Sequence, residues 1–211
     1  EFESGTIVPL LTKPVSRTMV FLGKLFAAFI TLLSTYAILF VYTAIGGTIV
    51  YGPQNNLHLI PLSLLGNILS TFVWVAIVLA IGSLSKSSLI AALGAFGIFF
   101  ALLISVPIVS IFSDQAWILS YMPGNGATGN IKGLGKSVST GTDNIAANLI
   151  NYVLFPSSNV TFFKMGGFRP EELYVEPLSL VLLRAVTVAL TYILAFLFIS
   201  WYALKRAQVV E

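Results

Sequence analysis

Four long stretches of the chain run almost without a polar break. Leu25–Tyr51 and Ser88–Phe112 hold no charged residue, Leu57–Leu84 holds only His58 near its start, and Leu178–Leu204 holds the single charge of Arg184. A helix needs about 20 apolar residues to cross a hydrocarbon core of ~30 Å. Each stretch therefore predicts a transmembrane helix with length to spare for tilt. The connection Ser113–Pro177 is too long to be a bare loop. Within it, D-N-I-A-A-N-L-I-N-Y-V-L-F (Asp143–Phe155) places Ile145, Leu149, Tyr152 and Val153 at helical spacing behind Asp143 as a candidate N-cap. This predicts a short amphipathic helix lying on the membrane surface or dipping into it. R-P-E-E-L (Arg169–Leu173) reads as a second helix start, with proline in the first turn. The predicted fold class is an all-α integral membrane protein.

Composition agrees and narrows the chemistry. Of 211 residues, 57% are hydrophobic and 9% charged, against about 25% charged in a soluble domain. With no cysteine, disulfides, thiolate metal sites and thiol nucleophiles are excluded. A single histidine and eight acids offer no Ser/His/Asp set, carboxylate pair or metal cluster, so no catalytic residue, metal or cofactor is expected. A net charge of +3 from scattered basic residues argues against a nucleic-acid partner. The first residue is Glu and no signal-peptide pattern follows, so the chain is expected to be cut from a longer one.

Charge also orients the spans. Lys13, Arg17 and Lys24 precede the first, Lys86 lies between the second and third, and Lys205 and Arg206 follow the fourth. Parity puts all six on one side, and the short loop Gly52–Asn56 opposite them has no Lys or Arg. The positive-inside rule makes the N-terminal segment (1–24), Lys86 and the tail (205–211) cytoplasmic and the 113–177 loop external. Tyr42, Tyr51, Trp117, Tyr121 and Tyr174 are then expected in an outer aromatic belt, and Trp201 and Tyr202 in an inner one.

Few polar groups interrupt the spans. Arg184, ~9–10 Å into the last span, is a functional candidate by its charge, or a side chain snorkelling outward toward Glu172 or Glu176. Asn67, Ser70 and Thr71 either line a polar path or bond to neighbouring helices. Ala91 and Ala95, with Gly94 and Gly97, would let the third span approach a neighbour closely. His58 has no second ligand near it for a metal. The spans show no charge at mid-depth, which disfavours an ion-coupled transporter. Finally, G-N-G-A-T-G-N-I-K-G-L-G-K-S (Gly124–Ser137) imitates two nucleotide motifs. The G-x-G-x-x-G lacks a preceding strand, and the P-loop reading meets Asn130 where its first glycine should stand. A flexible glycine-rich linker is the expectation.

The amino-terminal segment E-F-E-S-G-T-I-V-P-L-L-T-K-P-V-S-R-T-M-V-F-L-G-K reads as a short amphipathic helix, a proline break, and basic residues entering a span. Such a segment is an interfacial anchor or a helix that docks into a partner's groove. It resembles the E-x-E-x-G-T-[I/L/V]-x-x-L-L-[S/T]-x-P-[V/L/I]-S-R…G-K pattern of permease subunits of the type-two ABC transporter family. Glu1, Glu3, Gly5, Thr6, Ile7, Leu10, Leu11, Thr12, Pro14, Val15, Ser16, Arg17, Gly23 and Lys24 stand in that register. Pro9 departs from the family's usual helix former there.

The resemblance implies that this segment is the cytoplasmic coupling helix. Glu1, Glu3, Gly5, Thr6, Leu10, Leu11, Pro14, Ser16 and Arg17 would contact an ABC ATPase subunit. It implies helices three to six of an expected six, pairing with a second permease subunit in a plasma-membrane bilayer. The implied function is a permease of an ATP-driven exporter, with hydrolysis in the partner. The apolar membrane region suits lipidic or amphiphilic cargo. The alternative is a structural or accessory subunit of a membrane complex without its own transport path.

Overall fold

In a computed structural model, residues 16–112, 116–164 and 171–206 are described. Among the described residues, four helices are long and apolar enough to cross a membrane. The first, α1 (Arg17–Tyr51), opens on Ser16, whose hydroxyl accepts from the Met19 N–H at 3.2 Å. Residues 17–24, assigned from sequence to the amino-terminal segment, are therefore helix continuous with the span. Gly52, at φ +80, closes the helix by donating its N–H to Thr48 O. A 3-10 turn (Leu57–Leu59) leads into α2 (Ile60–Ser85), with Pro61 in the first turn where no intrahelical N–H is needed. Lys86, left-handed at φ 57, makes the tight turn into α3 (Ser88–Phe112).

The chain is mostly helical, as expected, and the connection after α3 adds a small sheet. A 3-10 segment (Ala116–Tyr121) is followed by strands β1 (Thr128–Ile131) and β2 (Ser137–Ser139). Then come a 3-10 turn (Thr142–Asn144), helix α4 (Ile145–Leu154), and strands β3 (Asn159–Lys164) and β4 (Glu171–Pro177). The strands form one antiparallel sheet in the order β2-β1-β3-β4. Leu173 is thus in a strand and not in a helical start; Arg169 and Pro170 lie outside the described residues. β4 runs directly into α5 (Leu178–Arg206), which ends on Lys205 and Arg206 where cations favour the helix dipole.

The glycine-rich stretch is an ordered hairpin, not a flexible linker. Gly124 (φ +110) and Gly126 (φ +68) take conformations that side chains resist, and a Cβ on Gly126 would stand 2.4 Å from the Gly141 nitrogen. Gly129 lies inside β1 opposite Phe162, where a Cβ would meet the Thr161 carbonyl at 2.8 Å. Close packing accounts for Gly126 and Gly129, and positive φ accounts for Gly124, Gly133 (+82) and Gly135 (+62).

Two apolar cores hold the molecule together. One joins the sheet to α3 and α5 through Val106, Ile131, Val138, Val160, Phe162, Leu178 and Val181. The other joins α2 and α5 to the start of α4 through Val73, Ile77, Ile145, Leu182, Ala185 and Ala189. The α3–α5 connection therefore shares both cores with the long helices. On α3 the small residues do face α2: Ala91 and Ala95 are buried, and Gly94 sits by Ile81. Gly97 has nothing within 4 Å of where its Cβ would be.

Candidate functional site

Helix α4 does not lie on the surface of the bundle. Its first turn is wedged between α2 and α5, and a Cβ on Gly66 of α2 would fall 2.5 Å from Ala146 Cα. Small residues let backbones approach this closely in an apolar surround. The turn before α4 reaches still further along α2. Trp74 Nε1 donates to Asp143 Oδ1 at 2.9 Å, and Trp74 stands roughly 20 Å along α2 from Ile60 at 1.5 Å per residue. Asp143 was expected to cap α4. The residue at that position is Asn144, which makes no side-chain cap bond, and the Asp143 carboxylate turns to Trp74 instead.

The four spans carry no charge near their middles, and the connection brings a carboxylate beside the middle of α2. Burial pushes the Asp143 carboxyl up from its usual range, against the opposing hydrogen bonds from Trp74 and Thr142. Across from it, Trp74 meets Phe99 of α3 edge to face, 5.3 Å between ring centroids. The space left among Trp74, Phe99, Gly124, Asn125 and Asp143 is about 10 Å³, too small for a substrate.

Irregular backbone packed among apolar helices must satisfy its polar groups locally. Thr142 Oγ1 accepts from Gly124 N–H at 3.0 Å, and Gly124 O accepts from Asp143 N–H at 3.1 Å. Thr140 Oγ1 accepts from Ala127 N–H at 2.9 Å and from the Ser120 hydroxyl at 2.8 Å. Gly141 N–H donates to Asn125 O, and the Asn148 amide donates to Ser139 O, both at 2.8 Å. Ser120, Thr140, Thr142 and Asn148 are all buried. The result is a polar knot that ties the segment 120–127 to 139–148 and seats it against α2.

The residues singled out from sequence fall into different settings. Asn67 donates to Ser63 O at 2.9 Å, and Ser70 donates to Gly66 O at 2.8 Å, both within α2. Thr71 shares a hydrogen bond with the Tyr36 hydroxyl of α1. These three serve helix geometry and a helix pair, and the knot does not include them. Arg184 grips Glu176 of β4 through both terminal nitrogens, at 3.1 and 2.7 Å, and lies 5.9 Å from the Tyr121 ring. Tyr174, stacked on Phe162, has its hydroxyl pushed up to about 12 by burial first and by Glu176 second, with Arg184 opposing. Tyr174 is thus half-buried against Phe162, while Tyr121 stays exposed and its O accepts from the Tyr192 hydroxyl of α5. Ser16 caps α1 and Arg17 opens it. Glu1, Glu3, Gly5, Thr6, Leu10, Leu11 and Pro14 lie outside the described residues.

Sequence reasoning missed Trp74 as the knot's anchor. A tryptophan in mid-span carries an indole N–H that needs an acceptor, and no acceptor side chain on the spans is matched to it. That was the available signal that something polar arrives from elsewhere.

Four apolar helices bound around a hydrogen-bonded polar insertion fit a multi-pass membrane protein. A sequence model described as ABC-2 family transporter protein matches residues 1–208. The chain belongs to the ABC-2 transporter family. No curated protein and no solved structure matches it. As an ABC-2 protein it is the membrane permease component of an ABC transporter, and membership implies association with an ABC ATPase and a membrane.

Proposed function

We propose that this ABC-2 permease is an exporter subunit. It pairs with a second permease and couples ATP hydrolysis by two partner ATPase subunits to outward movement of its substrate. The family match over residues 1–208 carries the reading. Glu1–Arg17 is the coupling segment on the cytoplasmic side, with Glu1, Glu3, Gly5, Thr6, Leu10, Leu11, Pro14, Ser16 and Arg17 against the ATPase. The start of α1 at Arg17, capped by Ser16, supports this, because the segment's last two residues join a span directly. A push on the segment then becomes a tilt of α1. The protein's contribution is differential binding of substrate in two conformations, not chemistry.

The test is the full-length permease with its ATPase in proteoliposomes. Glu3→Ala with Arg17→Ala is expected to lower substrate-stimulated ATPase activity on the order of tenfold, with membrane insertion and basal hydrolysis retained. Stimulation that survives both changes together removes the docking assignment. Stimulation that is lost while uphill transport runs inward removes the export direction and leaves coupling intact.

A further inference from the structure

The contacts that hold helix α1 to the bundle differ in kind. At its middle, the Tyr36 hydroxyl and Thr71 Oγ1 of α2 share a part-buried hydrogen bond at 2.5 Å. Each residue stands near the middle of its own helix. Towards the basic end, Phe29 meets Phe72 of α2 edge to face, 6.2 Å between ring centroids, and Trp201 of α5 donates to the Thr18 hydroxyl at 3.3 Å in an exposed setting. A ring contact at that range tolerates sliding, and an exposed hydrogen bond is readily exchanged for one to water. A hydroxyl pair between apolar helices has no such exchange open to it, so the Tyr36–Thr71 bond is the directional contact that persists. Open space flanks it on both sides. Towards the basic end, a groove of about 550 Å³ lies among Leu22, Phe26 and Phe72, and a cleft of about 310 Å³ lies between Phe21 and Gly82. Towards the other end, about 320 Å³ lies among Ile45, Ile49 and Leu57. No proline interrupts α1, so it behaves as a stiff rod. A stiff rod held by a directional bond at its middle, with room at each end, rocks rather than slides.

We propose that the Tyr36–Thr71 hydrogen bond is the fulcrum on which α1 rocks against α2, and that Tyr36 and Thr71 are positioning residues for transport. This rests on the reading of Glu1–Arg17 as the segment that drives α1. A push at the basic end is then delivered beyond the fulcrum as a movement in the opposite sense. At 1.5 Å per residue, Met19 lies ~26 Å from Tyr36 on the basic side and Ile45 ~14 Å from it on the other. The far arm therefore moves about half as far as the near one. Approach of α1 to α2 at the basic end widens the space beside Ile45 and Leu57, and withdrawal narrows it. Neither hydroxyl has to touch substrate. Together they fix the axis about which one motion becomes the other.

The test uses the full-length permease with its ATPase in proteoliposomes. The chain has no cysteine, so spin-label pairs can be introduced through new ones. One pair is Met19→Cys with Leu84→Cys and the other is Ile45→Cys with Leu65→Cys, all at exposed positions. Spin–spin distances are read without nucleotide and after trapping with ATP and orthovanadate. With Tyr36 and Thr71 intact, the two pairs are expected to shift in opposite senses, the Ile45 pair about half as far. Tyr36→Phe and Thr71→Val each remove one hydroxyl and keep the side chain's shape. Both should retain the shift of the Met19 pair, abolish the opposed shift of the Ile45 pair, and cut transport per ATP hydrolysed roughly fivefold, the contribution of one hydrogen bond. Thr71→Ser keeps a hydroxyl and should behave as wild type. Shifts in the same sense, or an Ile45 pair that stays still while the Met19 pair moves, would overturn the fulcrum and leave the coupling segment standing. An opposed shift that survives in both Tyr36→Phe and Thr71→Val would do the same. A Met19 pair that does not respond to nucleotide would overturn both readings.

Discussion

Helices α1 and α2 have nearly the same mean hydropathy, yet no residue in the most apolar window of α1 is buried, whereas 39% of that of α2 is. Along α1, residues such as Phe26, Ile38, Tyr42 and Ile49 are exposed. Along α2, Gly66 admits the backbone of α4, Thr71 bonds to Tyr36, and Trp74 bonds to Asp143. Hydropathy selects what can enter a membrane. It does not say which helix is central, because lipid tails and leucines are equally good neighbours. What small and hydrogen-bonding residues meet decides that: α1 carries such residues too, but Gly46 and Gly47 have nothing within 4 Å, whereas Gly66 of α2 meets the Ala146 backbone.

The comparison breaks most easily at glycine. Gly66→Leu drives a side chain into the Ala146 backbone and is expected to cost about 3 kcal/mol, the upper range for overpacking. Gly47→Leu on α1 has nothing within 4 Å to meet and should stay within about 0.5 kcal/mol. Thermal unfolding of the two variants in the same detergent compares them directly. Equal midpoints would mean that α4 is not seated on α2.

A smaller effect separates the interior indole from an exposed one. Trp74→Phe removes the donor to the Asp143 carboxylate, a charge-assisted bond worth roughly 1.5–3 kcal/mol. Trp201→Phe removes a bond from Nε1 to the Thr18 hydroxyl at 3.3 Å in an exposed setting, and should cost under about 1 kcal/mol. Hydrogen exchange at residues 139–148 gives a second readout. Trp74→Phe should raise it and Trp201→Phe should not. If exchange rises in neither variant, the indole bond does not hold the knot in place.

The long helices were legible because an apolar run of this length has few alternatives in water. The α4 helix was legible from the spacing of Ile145, Leu149 and Tyr152. The sheet was not, because its strands are short, β1 and β2 carry glycine, asparagine and serine, and the Glu-Glu start of β4 imitates a helix N-terminus. Gly129 in β1 faces Phe162 across the sheet, a pairing invisible to a local reading. Asp143 was misread for a related reason. Local rules offered a helix cap, and a tertiary partner on α2 outcompeted it. Arg184 was half legible: Glu176 was a named candidate partner, but its bidentate geometry depends on β4 running straight into α5.

The smallest effect tests the charge at the centre of the knot. Burial raises the Asp143 carboxyl above 3.8, its ordinary value, while Trp74 and Thr142 pull the other way. A raised folded-state pKa means that the folded protein binds this proton more readily than the unfolded chain. The resulting stability is fully present below 3.8 and is lost as pH rises through the folded pKa. Asp143→Asn keeps an oxygen to accept from Trp74 and has no charge to desolvate. Its stability should match wild type in acid and exceed it modestly at neutral pH, with the gap opening across the window above 3.8. Unfolding midpoints of both proteins from pH 3.5 to pH 7.5 would show it. A gap that opens in the opposite direction, with wild type gaining on the variant as pH rises, would mean that the indole bond outweighs burial. The knot would then be held by its charge, and α2 would be central because it binds an anion, not because it accommodates one.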